Sequence, residues 1–501
     1  MYLDEMEDIK MKTAKRWCIA FVAILLAVII FIGSMNYFID PYGYFRFQGG
    51  NYFELNDDYY TRVLKAERIK HFSDEFDGYV IGGSKASGIR ADSLKEYDGH
   101  DYYNSYIQSG NFEEYEKYIN YILENDSDVK KIFLHISSIE VKQFSRQDLG
   151  DTYKTPAQVN GTSKIAEVCK MLMKNLSVTF DEIEKIKKDK TNPVAYPELK
   201  TGERNIGKYY DAVSIDPEWF EKKYVLYEQT NKQKAKGEAP IEYNFDYRLS
   251  LLFNQTLDQA DNMEKCLTCL RNIKAACDAK AVELQVVFGP SFVSEMAVFD
   301  GPEFWNFYGE VVKTVGNVWD FSDYNDISLN PYNFYNYGHF FYDVGDLMIK
   351  TMKENKEIYK GDDDTIFSHF GAHVFSNAYD AKADGGELSV SVAEYIAARE
   401  NQYNALRDEY LKTGTIKLEE YDDTSNLVKG SKYFDDEELQ AREGRDDKIY
   451  KKYEKTKNDY DENVVISTPD NAATAAPDDS DVLDSFKDDG EPDDEPLEEE
   501  D

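Results

Sequence analysis

Residues Asp77–Ser84 read DGYVIGGS, a short apolar run that ends in two glycines and a serine. A run of this length between polar residues is typical of a buried β-strand. The glycines allow the chain to turn sharply where the strand ends, so that Ser84 begins the next helix. Strand, tight turn and helix in this order form the unit from which parallel α/β sheets are built.

Four further segments along the chain have the composition of strands. Apolar residues at helical spacing lie between them, around 112–122 and again around 259–280. The repeated alternation of strands and helices predicts an α/β fold with a mostly parallel five-stranded sheet that helices cover on both faces. The four segments are DYYNSY (Asp101–Tyr106), VKKIFLHISS (Val129–Ser138), VELQVVFGP (Val282–Pro290) and NVWDFS (Asn317–Ser322).

Trp17–Met35 is an uncharged apolar stretch near the N-terminus, and as a helix it is long enough to cross a hydrocarbon core of ~30 Å. Basic residues precede it, and none follows until Arg46. The positive-inside rule therefore predicts a cytoplasmic segment 1–16, a single-pass anchor at 17–35 in the cell membrane, and an extracytoplasmic main domain. A cleaved signal peptide is the alternative, but the run is long for one and no A-x-A cleavage site follows it.

The rest of the chain divides by composition. Residues 36–360 are predicted to form the α/β domain, with a polar, helix-leaning insertion at 145–250 between the third and fourth strands. Residues 361–455 predict a C-terminal helical extension that includes a helix near Ser389–Lys412. Residues 456–501, dominated by Pro, Asp, Glu, Ala and Ser, predict a disordered acidic tail.

The charge of the chain excludes some classes of partner. Its 58 basic and 96 acidic residues give a net charge of −38. Such a balance argues against a nucleic-acid-binding protein and against electrostatic docking on anionic lipid. The five cysteines are too few for a disulfide framework, and Cys266, Cys269 and Cys277 are expected to be buried on one helix. The sequence predicts neither a metal site nor a cofactor.

Ser84 and His339 are the candidates for catalysis. Sites in open α/β sheets form at the carboxyl ends of the strands, where Ser84 follows the first strand and His339 follows the last. A serine nucleophile needs a base, and the N–H groups at a helix start can stabilise an oxyanion. Ser84 as a simple helix N-cap is the alternative. The stretch lacks the spacing of a phosphate-binding loop or of a dinucleotide-binding turn.

Four stretches together resemble the SGNH-hydrolase superfamily in its membrane-anchored branch. This branch includes the D-alanine transfer protein of teichoic-acid alanylation and the polysaccharide O-acetylation proteins. The resemblance covers about residues 36–355 and implies a three-layer αβα, flavodoxin-like fold. The stretches are NYFIDPYGYF (Asn36–Phe45), YVIGGSKAS (Tyr79–Ser87), YYNSYIQSG (Tyr102–Gly110), and VWDFSDYN followed by NFYNYGHFFYDVGDLMI (Val318–Asn325 and Asn333–Ile349).

The resemblance also implies roles for single residues. Ser84 would be the nucleophile and His339 its base, with Gly83 and the Ser84 N–H at the oxyanion. Asn104 would belong to the second motif, whose following backbone completes the oxyanion hole. The chain departs from the family pattern at Tyr106, where a glycine is usual, and in the third motif, where Ser137 and Ser138 replace the usual asparagine.

A further departure concerns the acid that orients the base. The family places an aspartate three residues before its histidine, and this chain has Asn336 there. An amide can orient the imidazole but lacks the charge, and this replacement costs about 10⁴ in rate in a serine protease. Another carboxylate could take the role, and Asp320, Asp323 and Asp343 are the candidates.

The resemblance implies a membrane-anchored extracytoplasmic serine esterase or O-acyltransferase that acts on a cell-envelope polysaccharide or teichoic acid. It also implies a multi-span membrane O-acyltransferase as partner. Two alternatives stay open. In the first, Asn336 marks a weakened or inactive SGNH-like protein that binds a glycan or a partner. In the second, the chain is a structural surface protein with a solvating acidic tail.

Overall fold

In the computed structural model the chain divides into two compact units, Met1–Ser73 with Leu149–Lys200, and Asp74–Asp148 with Thr201–Asp501. Each unit is described by itself below. The predicted tail and most of the insertion at 145–250 lie outside the described residues. These are 2–40, 44–45, 58–138, 140–141, 155–177, 179–180, 183, 201–203, 260–330, 333–336, 339–356 and 370–413.

The described residues form helices and strands that are numbered here along the chain. The helices are α1 (Tyr2–Ile39), α2 (Asp58–His71), α3 (Ala91–Asp98), α4 (Phe112–Asn125), α5 (Ile165–Leu172), α6 (Ala260–Ala279), α7 (Val293–Phe299), α8 (Pro302–Val315), α9 (Tyr342–Glu354), α10 (Ala378–Asp384) and α11 (Val392–Thr413). The strands are β1 (Gly78–Ile81), β2 (Tyr102–Asn104), β3 (Lys131–Ile136), β4 (Glu283–Phe288), β5 (Asn317–Asp320), β6 (Phe334–Asn336), β7 (His339–Phe340), β8 (Ala372–Phe375) and β9 (Ser389–Ser391).

The first unit contains α1, α2 and α5. Within α1, the stretch Lys10–Ile39 is long and apolar enough to cross a membrane, and its most apolar window buries no surface against the protein. The predicted span Trp17–Met35 lies inside this stretch. A helix of this kind confirms the predicted apolar segment and weakly indicates membrane anchoring.

The second unit is an α/β domain built on a mostly parallel sheet. Its strands lie in the order β2-β1-β3-β4-β5-β8-β9, and the first five are mutually parallel. All five strands predicted from the sequence are present. The chain moves from β1 outward to β2 and then returns past β1 to β3, so the strand order reverses beside β1. Such a reversal opens a crevice at the carboxyl ends of the strands.

The sheet has seven strands in the described residues, whereas the sequence predicted five. Strand β8 pairs antiparallel with β5, and β9 pairs parallel with β8. The region 361–455 therefore contributes strands as well as helix, and the predicted helix Ser389–Lys412 begins only at Val392, after β9. Strands β8 (AHVF) and β9 (SVS) are too short to show strand periodicity in the sequence. Their conformation depends on the pairing of β8 with β5 and of β9 with β8.

The helices of this unit pack in two groups. Helix α3 contacts α9, while α6 contacts α4 and α8, and α8 contacts α11. Right-handed crossovers place α3 on the opposite face from α4, α6 and α8, because among the five parallel strands only the connection from β1 to β2 runs in the opposite direction across the sheet. One continuous core joins the sheet to α9 and includes Val80, Phe133, Val287, Trp319, Phe340 and Leu347.

Candidate active site

Ser84 lies at the carboxyl end of β1, directly beside the strand-order reversal. Gly82 and Gly83 follow the strand, and a short 3₁₀ turn runs from Ser84 to Gly88. A Cβ added at Gly82 would lie 2.6 Å from the carbonyl oxygen of His135, so no side chain fits there. The Gly82 carbonyl accepts a hydrogen bond of 2.8 Å from the N–H of Ile107. The glycines thus let the serine turn pass close over β3.

His339 is brought to the same place by the β6–β7 hairpin. Its Nε2 lies 2.7 Å from the Ser84 hydroxyl oxygen, although 255 residues separate the two along the chain. The imidazole is buried, while Ser84 is half-buried. A buried base at hydrogen-bond distance from a partly accessible serine is the arrangement that nucleophilic catalysis requires. The structure therefore brings the two sequence-predicted residues together.

Buried hydrogen bonds connect residues of the segment between β5 and the hairpin that carries His339. Between β5 and β6, the Asn325 side-chain oxygen accepts hydrogen bonds from the N–H groups of Ile327 and Ser328, at 2.8 and 2.9 Å. The Ser328 hydroxyl donates to the Asp323 carbonyl at 2.9 Å. After the hairpin, the N–H of Phe341 donates to the Asn333 carbonyl at 3.1 Å. These buried hydrogen bonds support the described residues on both sides of the His339 hairpin.

Two glycines allow the His339 hairpin and α9 to approach the serine turn closely. A Cβ added at Gly88 would lie 2.8 Å from the Phe340 ring, and one added at Gly345 would collide with the Gly88 carbonyl. Helix α9 begins directly after the hairpin, and its Gly345 therefore rests on the last residue of the serine turn. Neither contact was predicted, since a glycine inside a helix shows its purpose only when the neighbouring element is known.

A buried ion pair joins the same two elements. Arg90 follows the serine turn, and its guanidinium makes a two-pronged contact with the Asp346 carboxylate on α9, with Nε at 3.1 Å from Oδ1. The Ser93 hydroxyl donates to the same carboxylate at 2.5 Å. Planar guanidinium and carboxylate groups in this geometry fix both distance and orientation. This pair could not be predicted from local sequence patterns, because 256 residues separate its members.

Asn104 fixes the serine turn from the other side. Its side-chain amide donates both hydrogens to the turn, to the carbonyls of Ala86 and Ile89, each at 2.8 Å. Its side-chain oxygen accepts from the N–H of Tyr106 at 3.0 Å. Asn104 thus positions the backbone that follows Ser84.

The Ser84 N–H is a candidate donor to an oxyanion at this site. It is the first N–H of the 3₁₀ turn and has no acceptor within that turn. None of the described residues accepts a hydrogen bond from it. Gly83, at the N-cap position, has an extended backbone with φ −71° and ψ −169°. Because the backbone fixes this N–H group at Ser84, it can stabilise negative charge that develops there without a change in its own position.

Beneath the serine turn lies a buried charged cluster that the sequence did not predict. Lys85 forms an ion pair with Glu295 on α7 and donates to the Ser291 hydroxyl at 3.0 Å. Glu140 lies beside Gly83 and accepts from the Ser137 N–H at 2.7 Å. Burial raises the pKa of Glu140 to about 7, against the opposing effect of Lys85. The residue after Ser84 is thus joined to α7 by an ion pair, and a carboxyl group with a raised pKa lies behind the turn.

His135 belongs to the scaffold of the site rather than to its chemistry. Its Nε2–H donates to the Gly289 carbonyl at 2.7 Å. Burial lowers the pKa of this imidazole to about 3. The ring is therefore neutral at physiological pH, and it ties β3 to the end of β4.

The carboxylates considered as the orienting acid occupy different places. Asp320 lies 3.6 Å from the Arg399 guanidinium, and Asp323 accepts from the Asn325 side chain at 2.8 Å. Both belong to a buried network around β5. Asp343 is buried in the first turn of α9, one helical turn beyond His339. The Asn336 backbone pairs with His339 across the hairpin, and its side chain lies outside the described part of the structure.

Three cysteines and His373 pack against other parts of the fold in the described residues. Cys266, Cys269 and Cys277 are buried on α6, as predicted. His373 is on β8 and stacks on Trp319 with ring centroids 4.5 Å apart. Within the described ranges no cluster of three or more metal-ligating side chains occurs.

Comparison with known proteins returned no family model, no curated protein and no solved structure that matches this chain. The function of this chain is therefore inferred from the geometry of its site.

Proposed function

We propose that the protein is a membrane-anchored serine esterase or O-acyltransferase of the SGNH type, with Ser84 as nucleophile and His339 as base. The single observation that carries this proposal is the 2.7 Å distance between His339 Nε2 and the Ser84 hydroxyl oxygen. The strand order β2-β1-β3-β4-β5 supports the flavodoxin-like part of the proposal. The positions of Ser84 after β1 and of His339 after β5 support the same part of the proposal.

The proposed reaction has two halves. The Ser84 oxygen attacks the carbonyl carbon of an ester while His339 Nε2 takes the hydroxyl proton. The Ser84 N–H donates to the tetrahedral oxyanion, and the intermediate collapses as His339 returns the proton to the leaving alkoxide. In the second half, His339 deprotonates water or an acceptor hydroxyl, which attacks the acyl-enzyme and releases Ser84.

The membrane helix and the proposed family suggest the substrate. If α1 spans the membrane with its basic end in the cytoplasm, the main domain lies outside the cell. Polysaccharides and teichoic acids of the cell envelope offer hydroxyl groups there. A multi-span membrane O-acyltransferase is the proposed partner, because it would supply activated acyl groups across the membrane.

One observation favours a second candidate, a catalytically weakened SGNH-like protein that binds glycans. Asn336 occupies the position of the family's aspartate, and the side-chain oxygens of Asp320 and Asp323 have other partners. Loss of the charge at the orienting position slows catalysis strongly without preventing substrate binding. The two candidates differ in whether Ser84 turns over an ester.

Hydrolysis of p-nitrophenyl acetate by the full-length detergent-solubilised protein tests the proposal. Wild type is expected to release nitrophenol, and Ser84→Ala and His339→Ala are expected to lose this activity. Ser87→Ala is the matched control, because Ser87 is buried on the same turn and is not placed at the reacting atoms. Equal rates for wild type and Ser84→Ala would overturn the assignment, and binding of glycan without turnover would favour the second candidate.

A further inference from the structure

Helix α5 in the first unit buries a carboxylate on its inner face, beside an apolar residue. Glu167 and Met171 are turned inward, and Glu167 is only 5% exposed. Its carboxylate accepts hydrogen bonds of 3.0 Å from the Tyr44 hydroxyl and from the N–H of Ala157. Removal of a carboxylate from water costs free energy, and hydrogen-bond donors such as these compensate for that cost.

The opposite face of α5 presents apolar side chains to the outside. Ile165, Cys169 and Met173 are four residues apart and therefore lie on one face. Ile165 is 74% exposed and Met173 44% exposed, and Phe180 a little further along is 52% exposed. Water is a poor solvent for such a surface, so a different medium is needed to cover it.

The position of this face is fixed against the end of the membrane helix. Asn36 directly follows the span Trp17–Met35, and its side-chain amide donates to the carbonyls of Leu172 and Lys174 at 2.8 and 2.9 Å. The Asn36 side-chain oxygen accepts from the Thr179 hydroxyl at 2.5 Å. The C-terminal end of α5 and the residues that follow it are therefore attached at the level where the predicted span ends.

Two further features mark this level as the membrane surface. A Cβ added at Gly33 would lie 3.8 Å from Leu172, so α5 ends beside the last turn of the apolar span. Tyr37 and Phe38 are exposed in the next turn of α1. Aromatic side chains collect at the boundary between headgroups and acyl chains.

We infer that the apolar face of α5, defined by Ile165, Cys169 and Met173 together with Phe180, lies in the lipid bilayer at the headgroup–acyl boundary beside α1. This surface would give the first unit a second membrane contact in addition to the single span. Amphipathic helices at this depth place their apolar side in the acyl region and their polar side away from it. The inference rests on the membrane-spanning role of α1, which is part of the proposed function.

Spin-label accessibility tests this inference on the full chain in nanodiscs of phosphatidylcholine and phosphatidylglycerol, with Cys18→Ala and Cys169→Ala as background. Single labels are placed through Ile165→Cys and Met173→Cys. Ile24→Cys serves as the reference inside the span, and the exposed Glu303→Cys serves as the aqueous reference. Oxygen concentrates in the bilayer, whereas a nickel chelate stays in water.

Spin labels at 165 and 173 are expected to be more accessible to oxygen than to the nickel chelate, as is expected for the label at 24. A preference for the nickel chelate at 165 and 173, with label 24 in lipid, would overturn the inference and leave the membrane span intact. Shielding from both reagents would mean that protein covers the face, which also overturns it. A water-exposed label at 24 would contradict the membrane-spanning role of α1 itself.

Discussion

Arg90 and Asp346 form a buried ion pair that connects the turn carrying Ser84 to the helix that follows His339. Ser84 and His339, the proposed nucleophile and base, come from distant parts of the sequence, and each lies a few residues before one member of this ion pair in the chain. Misplacement of a reacting group by 1 Å can cost about 10²-fold in rate. Arg90 and Asp346 are therefore positioning residues for the Ser84–His339 pair.

Removal of one partner of this pair is expected to destabilise the protein and reduce activity. Arg90→Met leaves the Asp346 carboxylate buried without its counterion, which costs about 3–5 kcal/mol in buried pairs. Urea unfolding of the solubilised protein measures this cost. Arg90→Lys retains the charge but loses the two-pronged geometry, so kcat should fall more than KM rises. An Arg90→Lys variant with wild-type kcat would contradict the positioning role.

Asn104→Asp is expected to be as damaging as Asn104→Ala. The carboxylate has no N–H to donate to the carbonyls of Ala86 and Ile89, so both variants remove one hydrogen bond from each carbonyl, and the Ala86 carbonyl keeps only the N–H of Ile89. Each such loss costs about 1–3 kcal/mol. Thermal unfolding and ester hydrolysis report stability and activity together. Full stability of Asn104→Asp would show that these two hydrogen bonds do not hold the serine turn.

Gly345→Ala is expected to push α9 away from the serine turn. The added methyl group would collide with the Gly88 carbonyl, and overpacking of this kind costs about 1–3 kcal/mol. Activity should fall with stability, since α9 continues directly from the hairpin of His339. Gly301→Ala is the matched control, because a Cβ there meets no atom within 4 Å. Equal activity of Gly345→Ala and Gly301→Ala would contradict the packing argument.

The contribution of three buried carboxyl groups to stability is expected to decrease as pH rises from about 5 to about 7, whereas His135, whose pKa burial lowers to about 3, contributes in the opposite direction up to about pH 6.5. Burial raises the pKa of Glu140, Glu203 and Asp323 to about 7, from ordinary values of 4.5 for Glu and 3.8 for Asp. The folded state thus binds protons more tightly than the unfolded state, and the stability gained from this binding is lost as pH rises through that window. For Glu140 the change from 4.5 to about 7 corresponds to ~3 kcal/mol.

Unfolding temperatures measured across this pH range test the expectation. Glu140→Gln keeps an acceptor for the Ser137 N–H but cannot ionise, so the decline in stability should become shallower. Glu303→Gln on the exposed face of α8 should leave the pH profile unchanged. An identical profile for wild type and Glu140→Gln would show that Glu140 ionises without penalty.

The parts of this structure that could be predicted from sequence are those encoded locally. Alternating apolar strands and amphipathic helices identified the five parallel strands. The glycines before Ser84 marked a strand-to-helix turn, and the position of His339 after the last strand placed it at the same sheet edge. The two residues of the pair were thus predicted from separate local patterns, and the fold brought them to 2.7 Å.

The features that escaped prediction depend on contacts between distant residues. Lys85 reads as an ordinary surface lysine until α7 places Glu295 beside it, 210 residues away. Strands β8 and β9 have too few residues to show a pattern before they pair with the sheet. Asn104 was associated with the oxyanion hole through the family resemblance, whereas its amide fixes the serine turn.

The most direct test of the central claim is intact-mass analysis after exposure of the full chain to a fluorophosphonate. The account predicts one phosphonyl adduct on the wild-type protein, located on the peptide that contains Ser84. It predicts no adduct on Ser84→Ala and strongly slowed labelling of His339→Ala. A wild-type protein that gains no mass, or a Ser84→Ala variant that is labelled as fast as wild type, would contradict the assignment of Ser84 as nucleophile.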